Sequence, residues 1–344
     1  MSSIDRGVPS RLGEYRSWVS DSIESYLEGR AGKLYEMINY HLGFDGKGPD
    51  RSLQGKAIRS SLALYTTEAL GGKPEDAMPA AVSLELIHNF SLVHDDIQDD
   101  DRTRRGRPTV QHRWGPDQAI NAGDGIKDLS LLALTELSPN GNSERTLEAV
   151  EALGNYSLRM IQGQVMDLDY MERQDVGIDS YLEMICAKTC ALLEGAFHIG
   201  GIYSAVEEEE IDKLVSFGRL LGYVYQIRDD WLGIWGEPEE SGKSVVSDIQ
   251  ERKRSFPVVY AMQEGRGSEL RRLKELYYRD AKLGSDEIEE VREILESIGS
   301  REKTKERAKK YWKDAERQLD ETEMADWAKT DLEEFGSFLL TRKK

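Results

Sequence analysis

Two groups of aspartates, each set in an otherwise apolar stretch, are the residues of this chain best suited to chemistry. The first lies in SLVHDDIQDDDRTRRGRPT, residues 91–109, and the second in YQIRDDWLGIWG, residues 225–236. A carboxylate placed beside apolar side chains is costly to desolvate unless something cationic compensates it. Asp95 and Asp99 are four residues apart and so project from one helical face. Such carboxylates repel each other by roughly 4 kcal/mol per pair at 4 Å for an effective dielectric near 20, and a shared divalent ion converts that repulsion into coordination. Arg102, Arg104, Arg105 and Arg107 follow at once, so anion-binding groups adjoin metal-binding ones. Carboxylates, Mg2+ and clustered guanidiniums together imply a substrate that carries phosphate.

A helix end running into a solvated acidic loop would account for Asp100 and Asp101. It does not account for Asp95 and Asp96, because the preceding SLELIHNFSLV is too apolar for a surface helix. Asp229 and Asp230 carry little weight alone. As a second acidic pair in apolar surroundings they complete a design in which two helices face each other. Mg2+ would sit between them, with phosphate oxygens filling its octahedron.

The elements that must position these groups read as helices. Apolar and charged residues alternate at helical spacing from about Arg11 to Leu42. Residues 58–70 and 78–100 are apolar and long enough for buried helices, and Gly71-Gly72 closes the first of them. A helix near 126–137 and another at 146–169 flank the loop SPNGNSER. Residues 179–200 are apolar on most faces and read as central. Ser204 and Glu207 resemble a capping box that opens the next helix, toward Trp231. After about residue 265 the chain is charge-rich and amphipathic, with breaks at Gly284-Ser285 and Gly299-Ser300, so those helices are expected on the outside. No strand-length alternation competes.

Composition narrows the function classes. The 344 residues hold 39% hydrophobic side chains, enough for a sizeable core, and only nine prolines, mostly between the long stretches. No Pro/Gly/Ser-rich linker divides them, so one large all-α domain is expected. Its motif-bearing core would span about 50–260 and its charged outer helices about 265–344. A net charge of −18 argues against nucleic acid and anionic lipid as partners. No apolar run reaches the eighteen residues of a membrane span, and the N-terminus lacks a secretory apolar region, so a cytoplasmic location is expected. Cys186 and Cys190, the only cysteines, are too few for a zinc site and badly spaced for a disulfide on a helix; they read as core packing.

An ordered series of motifs gives the chain a family resemblance. GKAIR (55–59), His88, DDIQD (95–99), RRGRPT (104–109), Gly123-Asp124, GQVMDL (163–168), Lys188-Thr189, QIRDD (226–230), SGK (241–243) and SDIQERK (247–253) follow one another. Each is weak alone; in this order they resemble the trans-isoprenyl diphosphate synthases, which include farnesyl and geranylgeranyl diphosphate synthases. The resemblance implies a single helical bundle around a deep central cavity, the isoprenoid synthase fold, built as a homodimer. It implies condensation of isopentenyl diphosphate with an allylic diphosphate: dimethylallyl, geranyl or farnesyl. Asp95 and Asp99 would bind two Mg2+ ions and Asp229 a third. Arg104, Lys188 and Lys243 would contact the allylic diphosphate, and Lys56, Arg59, His88 and Arg105 that of isopentenyl diphosphate. Thr189 and Gln226, with the carbonyl of Lys188, would turn oxygens toward the carbocation.

The chain departs from the family pattern in places. Gly233 stands where the second motif has a third aspartate, which reads as the loss of an outer metal contact. Gly233→Asp is then expected to change the Mg2+ requirement only within about tenfold, a modest loss of transition-state stabilisation. Ala57 and Ser60 replace an arginine and a proline in the first segment. Residues four and five before Asp95 lie one helical turn toward the cavity floor. Ser91 leaves space there and Phe90 places a ring, a pattern resembling C20 producers, with C15 the second reading. A terpene synthase on this scaffold is the alternative enzyme, disfavoured because Lys56, Arg59 and Arg105 supply a second diphosphate site. A non-catalytic subunit of a heteromeric synthase is disfavoured because both acidic motifs are retained, apart from the one residue at Gly233.

Overall fold

The computed structural model describes residues 8–45, 55–138, 144–204, 206–236, 247–279 and 281–342. The N-terminal half comprises α1 (Ser10–Leu27), α2 (Lys33–Leu42), α3 (Ile58–Ala69), α4 (Pro74–Gln98), a hairpin of β1 (Thr103–Arg104) and β2 (Arg107–Pro108), α5 (Val110–Trp114), α6 (Pro116–Glu136) and α7 (Glu144–Glu172). There follow α8 (Ile178–Ile185), a π turn (Cys186–Cys190), α9 (Ala191–Ser204), α10 (Glu208–Trp235) and α11 (Ser247–Gln250). The chain continues with α12 (Phe256–Glu264), α13 (Gly267–Tyr278), α14 (Ser285–Ser297), α15 (Ser300–Asp320) and α16 (Asp326–Thr341). The all-α expectation holds: the two-residue strands only pin the arginine-rich loop after α4.

Several boundaries differ from the sequence reading. The periodic stretch 11–42 is broken at 28–32, where Gly29 and Gly32 take positive φ angles of 77° and 109°, so α1 and α2 are separate. The helix expected near 126–137 begins ten residues earlier, at Pro116, where the ring suits a first turn that needs no N–H donor. The capping box at Ser204 does not form. Its hydroxyl donates instead to the carbonyls of Gly200 (2.6 Å) and Thr67 (3.2 Å), and Glu207 takes the N-cap position of α10.

α3 and α9 are buried on nearly every face, which explains their lack of a polar stripe. α9 packs between α3, α7 and α10, and α4 lies against α3 and α6. The stretch Ile178–Ser204 is, among the described residues, the one helix long and apolar enough to cross a membrane, and 78% of its apolar window is buried in the bundle. The last helices are less peripheral than expected. α15 lies along α10, and Trp312, Leu319 and Phe335 join the main core. α13 and α14 build a smaller apolar cluster on Trp231 and Ile234.

The central helix is interrupted where function was expected. Residues 186–190 form a π turn, a one-residue widening that occurs often at functional sites. Two glycines permit the bulge. A Cβ on Gly163 of α7 would stand 2.6 Å from the Lys188 Cα, and one on Gly222 of α10 would stand 2.7 Å from the Cys190 sulfur. Arg159 donates to the carbonyl of Cys186 (3.2 Å) and pairs with the buried Glu194. Both cysteines are free.

Candidate active site

The cleft has two lobes, of about 410 and 300 Å3, which share Gln98, Leu168, Lys188, Thr189, Gln226 and Asp229. The first lobe is charged: Asp99, Asp167, Asp229, Asp248, Lys188 and Lys253 line it. The second is mainly apolar, with Phe90, Ser91, Met160, Ile161, Val165 and Leu192, and carries Arg59, His88 and Asp95 on its wall.

α4 ends at the junction of the lobes and delivers Asp95 and Asp99. Burial pushes both carboxyls above their ordinary range, against the pull of Lys188 and, at Asp99, Lys253. Asp96 points the other way. It is buried and accepts a hydrogen bond from Arg104 Nε at 2.7 Å, and burial lifts its pKa to about 6. Arg104, expected on the allylic diphosphate, is therefore tied to Asp96, with its head still partly exposed.

From the π turn, Lys188 donates to Asp167 at 2.6 Å. Burial disfavours its charge, but Asp167 and Asp95 keep its pKa above the ordinary value. The Thr189 hydroxyl donates to Gln226 Oε1 (2.7 Å), and Gln226 Nε2 donates to Asp230 Oδ1 (2.9 Å). Asp230 also accepts from the Tyr181 hydroxyl at 2.5 Å and the Phe256 amide at 2.7 Å. Asp230 thus anchors a chain of hydrogen bonds that fixes the Gln226 amide and commits the Thr189 proton. The oxygen lone pairs of Thr189 that remain can serve an electron-poor carbon.

Near the α3 N-terminus, Arg59 Nη1 lies 3.2 Å from His88 Nε2. Burial, reinforced by Arg59, Arg105 and Arg104, holds the His88 pKa well below its ordinary value, so the neutral ring accepts from Arg59. Arg105 is half-buried, its pKa lowered by burial, and the space beside Gly55 is filled by its guanidinium. Ala57 and Arg105 hold positive φ angles of 45° and 52°, sparsely populated backbone of the kind that collects at binding sites. Lys56 is exposed beside them. Lys243 lies outside the described residues.

Two findings correct the reading of the second motif. Gly233 does not leave a gap, because a Cβ there would lie 2.6 Å from the Asp248 Cγ. Asp248 occupies the space, its carboxyl raised to about 7 by burial and by Asp230. Asp229 is also not free: Arg342, just beyond α16, forms an ion pair with it and stacks over Tyr225 at 4.9 Å. Asp167, Asp248 and Lys253 lie within the motifs GQVMDL and SDIQERK, yet their roles were not assigned from sequence; Arg342 carries no local signal at all. Among the described residues no group of three or more His, Cys, Asp or Glu side chains converges to enclose a metal ion.

A helical bundle holding a half-charged, half-apolar cleft defines the isoprenoid synthase class, and comparison with known proteins agrees. The polyprenyl synthetase family matches residues 50–298. The short chain isoprenyl diphosphate synthase of Methanothermobacter thermautotrophicus is 38% identical, over 84% of this chain and 87% of that one. The (2E,6E)-farnesyl diphosphate synthase of Mycobacterium tuberculosis is 36% identical, over 84% of this chain and 81% of its own. The crystal structure of geranylgeranyl pyrophosphate synthetase from Pyrococcus horikoshii Ot3 superposes with a TM-score of 0.86 at 33% identity, covering 97% of this chain and 98% of that one. The chain belongs to the polyprenyl synthetase family of trans-prenyltransferases.

Proposed function

We propose that this chain is a short-chain prenyl diphosphate synthase that joins isopentenyl diphosphate to an allylic diphosphate, with geranylgeranyl diphosphate as main product and farnesyl diphosphate as the second reading. The observation that carries this is the shared wall of the two lobes: Lys188, Thr189 and Gln226 stand between a charged space and an apolar one. In the reaction the allylic C1–O bond breaks, leaving diphosphate in the charged lobe and a carbocation beside the Thr189 and Gln226 oxygens. The C3=C4 π electrons of isopentenyl diphosphate form the new bond to C1. A C2 proton then leaves to the released diphosphate, so no protein base is required. Met160, Ile161 and Leu192 keep water from the cation.

The donor set fits Mg2+, about three ions per site. Asp95, Asp99 and Asp229 would hold them; Mg2+ takes one or two carboxylates and completes its shell with phosphate and water rather than from an all-protein cage. Burial raises the carboxyls of Asp95 and Asp99, and a bound cation would offset that desolvation of their charged forms. When bound, the metal neutralises charge developing on the leaving diphosphate. To hold an ion, Asp229 would have to give up its pairing with Arg342. Arg104, Lys188 and Lys243 complete the allylic diphosphate site in this reading. Lys56, Arg59, His88 and Arg105 form that of isopentenyl diphosphate, which a terpene synthase would not need.

The reading extends to one isoprenoid synthase domain and a cytoplasmic homodimer. Support for the second copy comes from Ile120, Leu131 and Leu132 on α6 and Leu147 and Leu158 on α7, large apolar side chains that a single chain leaves exposed. Incubation of the purified protein with Mg2+, isopentenyl diphosphate and each allylic diphosphate, followed by mass spectrometry, tests the function. Elongated diphosphates support it; cyclised or hydrolysed products favour the terpene synthase, and no turnover with any primer favours the non-catalytic subunit.

A further inference from the structure

The π turn that carries Lys188 and Thr189 adjoins a buried ion cluster that takes no part in the chemistry. Glu194, one turn beyond Cys190 on α9, is fully buried, and a carboxylate there is costly unless it is paired and hydrogen-bonded. Two guanidiniums meet it. Arg159 of α7 donates from Nη1 to Oε2 at 2.8 Å and from Nη2 to Oε1 at 2.6 Å. Arg219 of α10 donates from Nε to Oε1 at 2.9 Å and from Nη2 to Oε2 at 3.4 Å. The cluster therefore joins the three helices that surround the turn. The two arginines differ in one respect. Arg159 Nη2 also reaches the carbonyl of Cys186, the first residue of the turn, at 3.2 Å, whereas the hydrogen bonds of Arg219 both end on Glu194.

Arg159 stands four residues before Gly163, and Arg219 three before Gly222, so each arginine shares a helical face with the glycine that admits the turn. A Cβ on Gly163 would lie 2.2 Å from the Lys188 backbone nitrogen. α7 thus touches the turn at two points, with bare backbone against Lys188 and a guanidinium on Cys186. Tyr156, on the same face of α7, lies against Gly195, where a Cβ would come 3.1 Å from its ring. That close approach of α7 to α9 lets Arg159 span carboxylate and carbonyl together.

We infer that Arg159 is a positioning residue for the reaction: by bridging Glu194 to the Cys186 carbonyl it fixes the π turn, and with it the places of the Lys188 ammonium and the Thr189 hydroxyl. This rests on the prenyltransferase reading. A π turn is rare and has to be held by its surroundings. The glycines leave room for it but exert no pull, whereas a hydrogen bond to one of its carbonyls does. The site depends on that hold. Lys188 must meet Asp167 at 2.6 Å and Thr189 must meet Gln226 at 2.7 Å, and a misplacement of about 1 Å can cost about a hundredfold in rate. The bridge also requires arginine. The planar fork gives two nitrogens to the carboxylate and turns one of them to the carbonyl as well, which the single nitrogen of a lysine cannot reproduce.

The test compares the full chain with Arg159→Lys and Arg219→Lys, which keep the charge of the cluster and remove one guanidinium each. With Mg2+, isopentenyl diphosphate and an allylic diphosphate, Arg159→Lys is expected to lower kcat about a hundredfold while KM for each substrate stays within about twofold. Arg219→Lys, at a side chain 45% exposed, should keep kcat within about threefold. Thermal unfolding of both variants supplies the structural baseline. An equal loss of kcat in the two, or a loss that merely follows the fall in Tm, overturns the inference. A second arm follows backbone amide hydrogen exchange over residues 186–191 by mass spectrometry, without metal or substrate. Arg159→Lys should speed that exchange by about tenfold or more over the unmodified chain, and Arg219→Lys should not. Exchange unchanged in Arg159→Lys, or faster to the same degree in both, refutes the bridge. Because this arm needs no turnover, a chain that elongates no primer but shows this exchange pattern would refute the prenyltransferase reading alone.

Discussion

Gly233→Ala ought to stabilise an exposed helix by about 1 kcal/mol, since glycine is that much poorer than alanine in a helix interior. Position 233 of α10 should behave oppositely. The new Cβ would meet the Asp248 carboxyl, with its Cγ only 2.6 Å away, and overpacking of this kind costs about 1–3 kcal/mol. The net expectation is a loss of up to about 2 kcal/mol. Gly233→Asp adds a second carboxylate at the same place, worth roughly 4 kcal/mol of repulsion at 4 Å for a dielectric near 20. Its total loss should approach about 5 kcal/mol at pH 8 and shrink toward the steric part near pH 6, where Asp248, raised to about 7, is mostly protonated and uncharged. Urea unfolding followed by circular dichroism measures each term. The decisive comparison is the background: with Asp248→Ala present, Gly233→Ala should change sign and stabilise by about 1 kcal/mol. If Gly233→Ala stabilises the unmodified chain by that amount, Asp248 does not fill the site. The earlier expectation that Gly233→Asp would merely adjust the Mg2+ requirement is thereby replaced, because the position is occupied.

Gly163→Ala would press a methyl group into the Lys188 backbone; about 1–3 kcal/mol of stability should be lost, with kcat falling more than KM rises, and normal kcat would show that the π turn tolerates displacement. Asp95→Ala or Asp99→Ala should lower turnover by two or more orders of magnitude, about the size of a principal electrostatic contribution, and excess chelator should abolish it; Asp229→Ala should be far more damaging than Gly233→Ala, and turnover surviving chelation would rule out the metal-assisted mechanism. Phe90→Ala should yield products of C25 or longer and cost about 3–5 kcal/mol by urea unfolding, whereas the stability loss without longer products would make Phe90 a packing residue only. In the absence of metal and substrate, burial raises Asp248 to about 7 and Asp96 and Asp230 to about 6, so the fold favours their protonated forms. Their contribution is full below about pH 4, where the unfolded chain titrates, and is lost as pH rises through 6 to 7. The urea midpoint of Asp248→Asn, whose amide stands in for the protonated acid, should therefore rise relative to that of the unmodified chain over that window; a difference independent of pH would place the Asp248 pKa elsewhere.

The sequence by itself determined the helical class and the faces of its helices. The spacing of Asp95 and Asp99 put them on one face, and the apolar run before them required that face to be internal. The apolar breadth of residues 179–200 marked the central helix. These features follow from local rules, because a helix turns 100° per residue whatever surrounds it. What each charged group is paired with was decided only by tertiary structure. Arg104 goes to Asp96 and Lys188 to Asp167, and Asp229 meets Arg342 from the far end of the chain. Gly233 reads locally as a lost carboxylate and proves to be the space that Asp248 occupies. The π turn at 186–190 has no signal within its own residues, since it exists where Gly163 and Gly222 let α7 and α10 close on it. Helical periodicity sets which side chains share a face; how closely helices distant in sequence approach one another sets which partner each side chain finds, and that distance depends on the packing of the whole core.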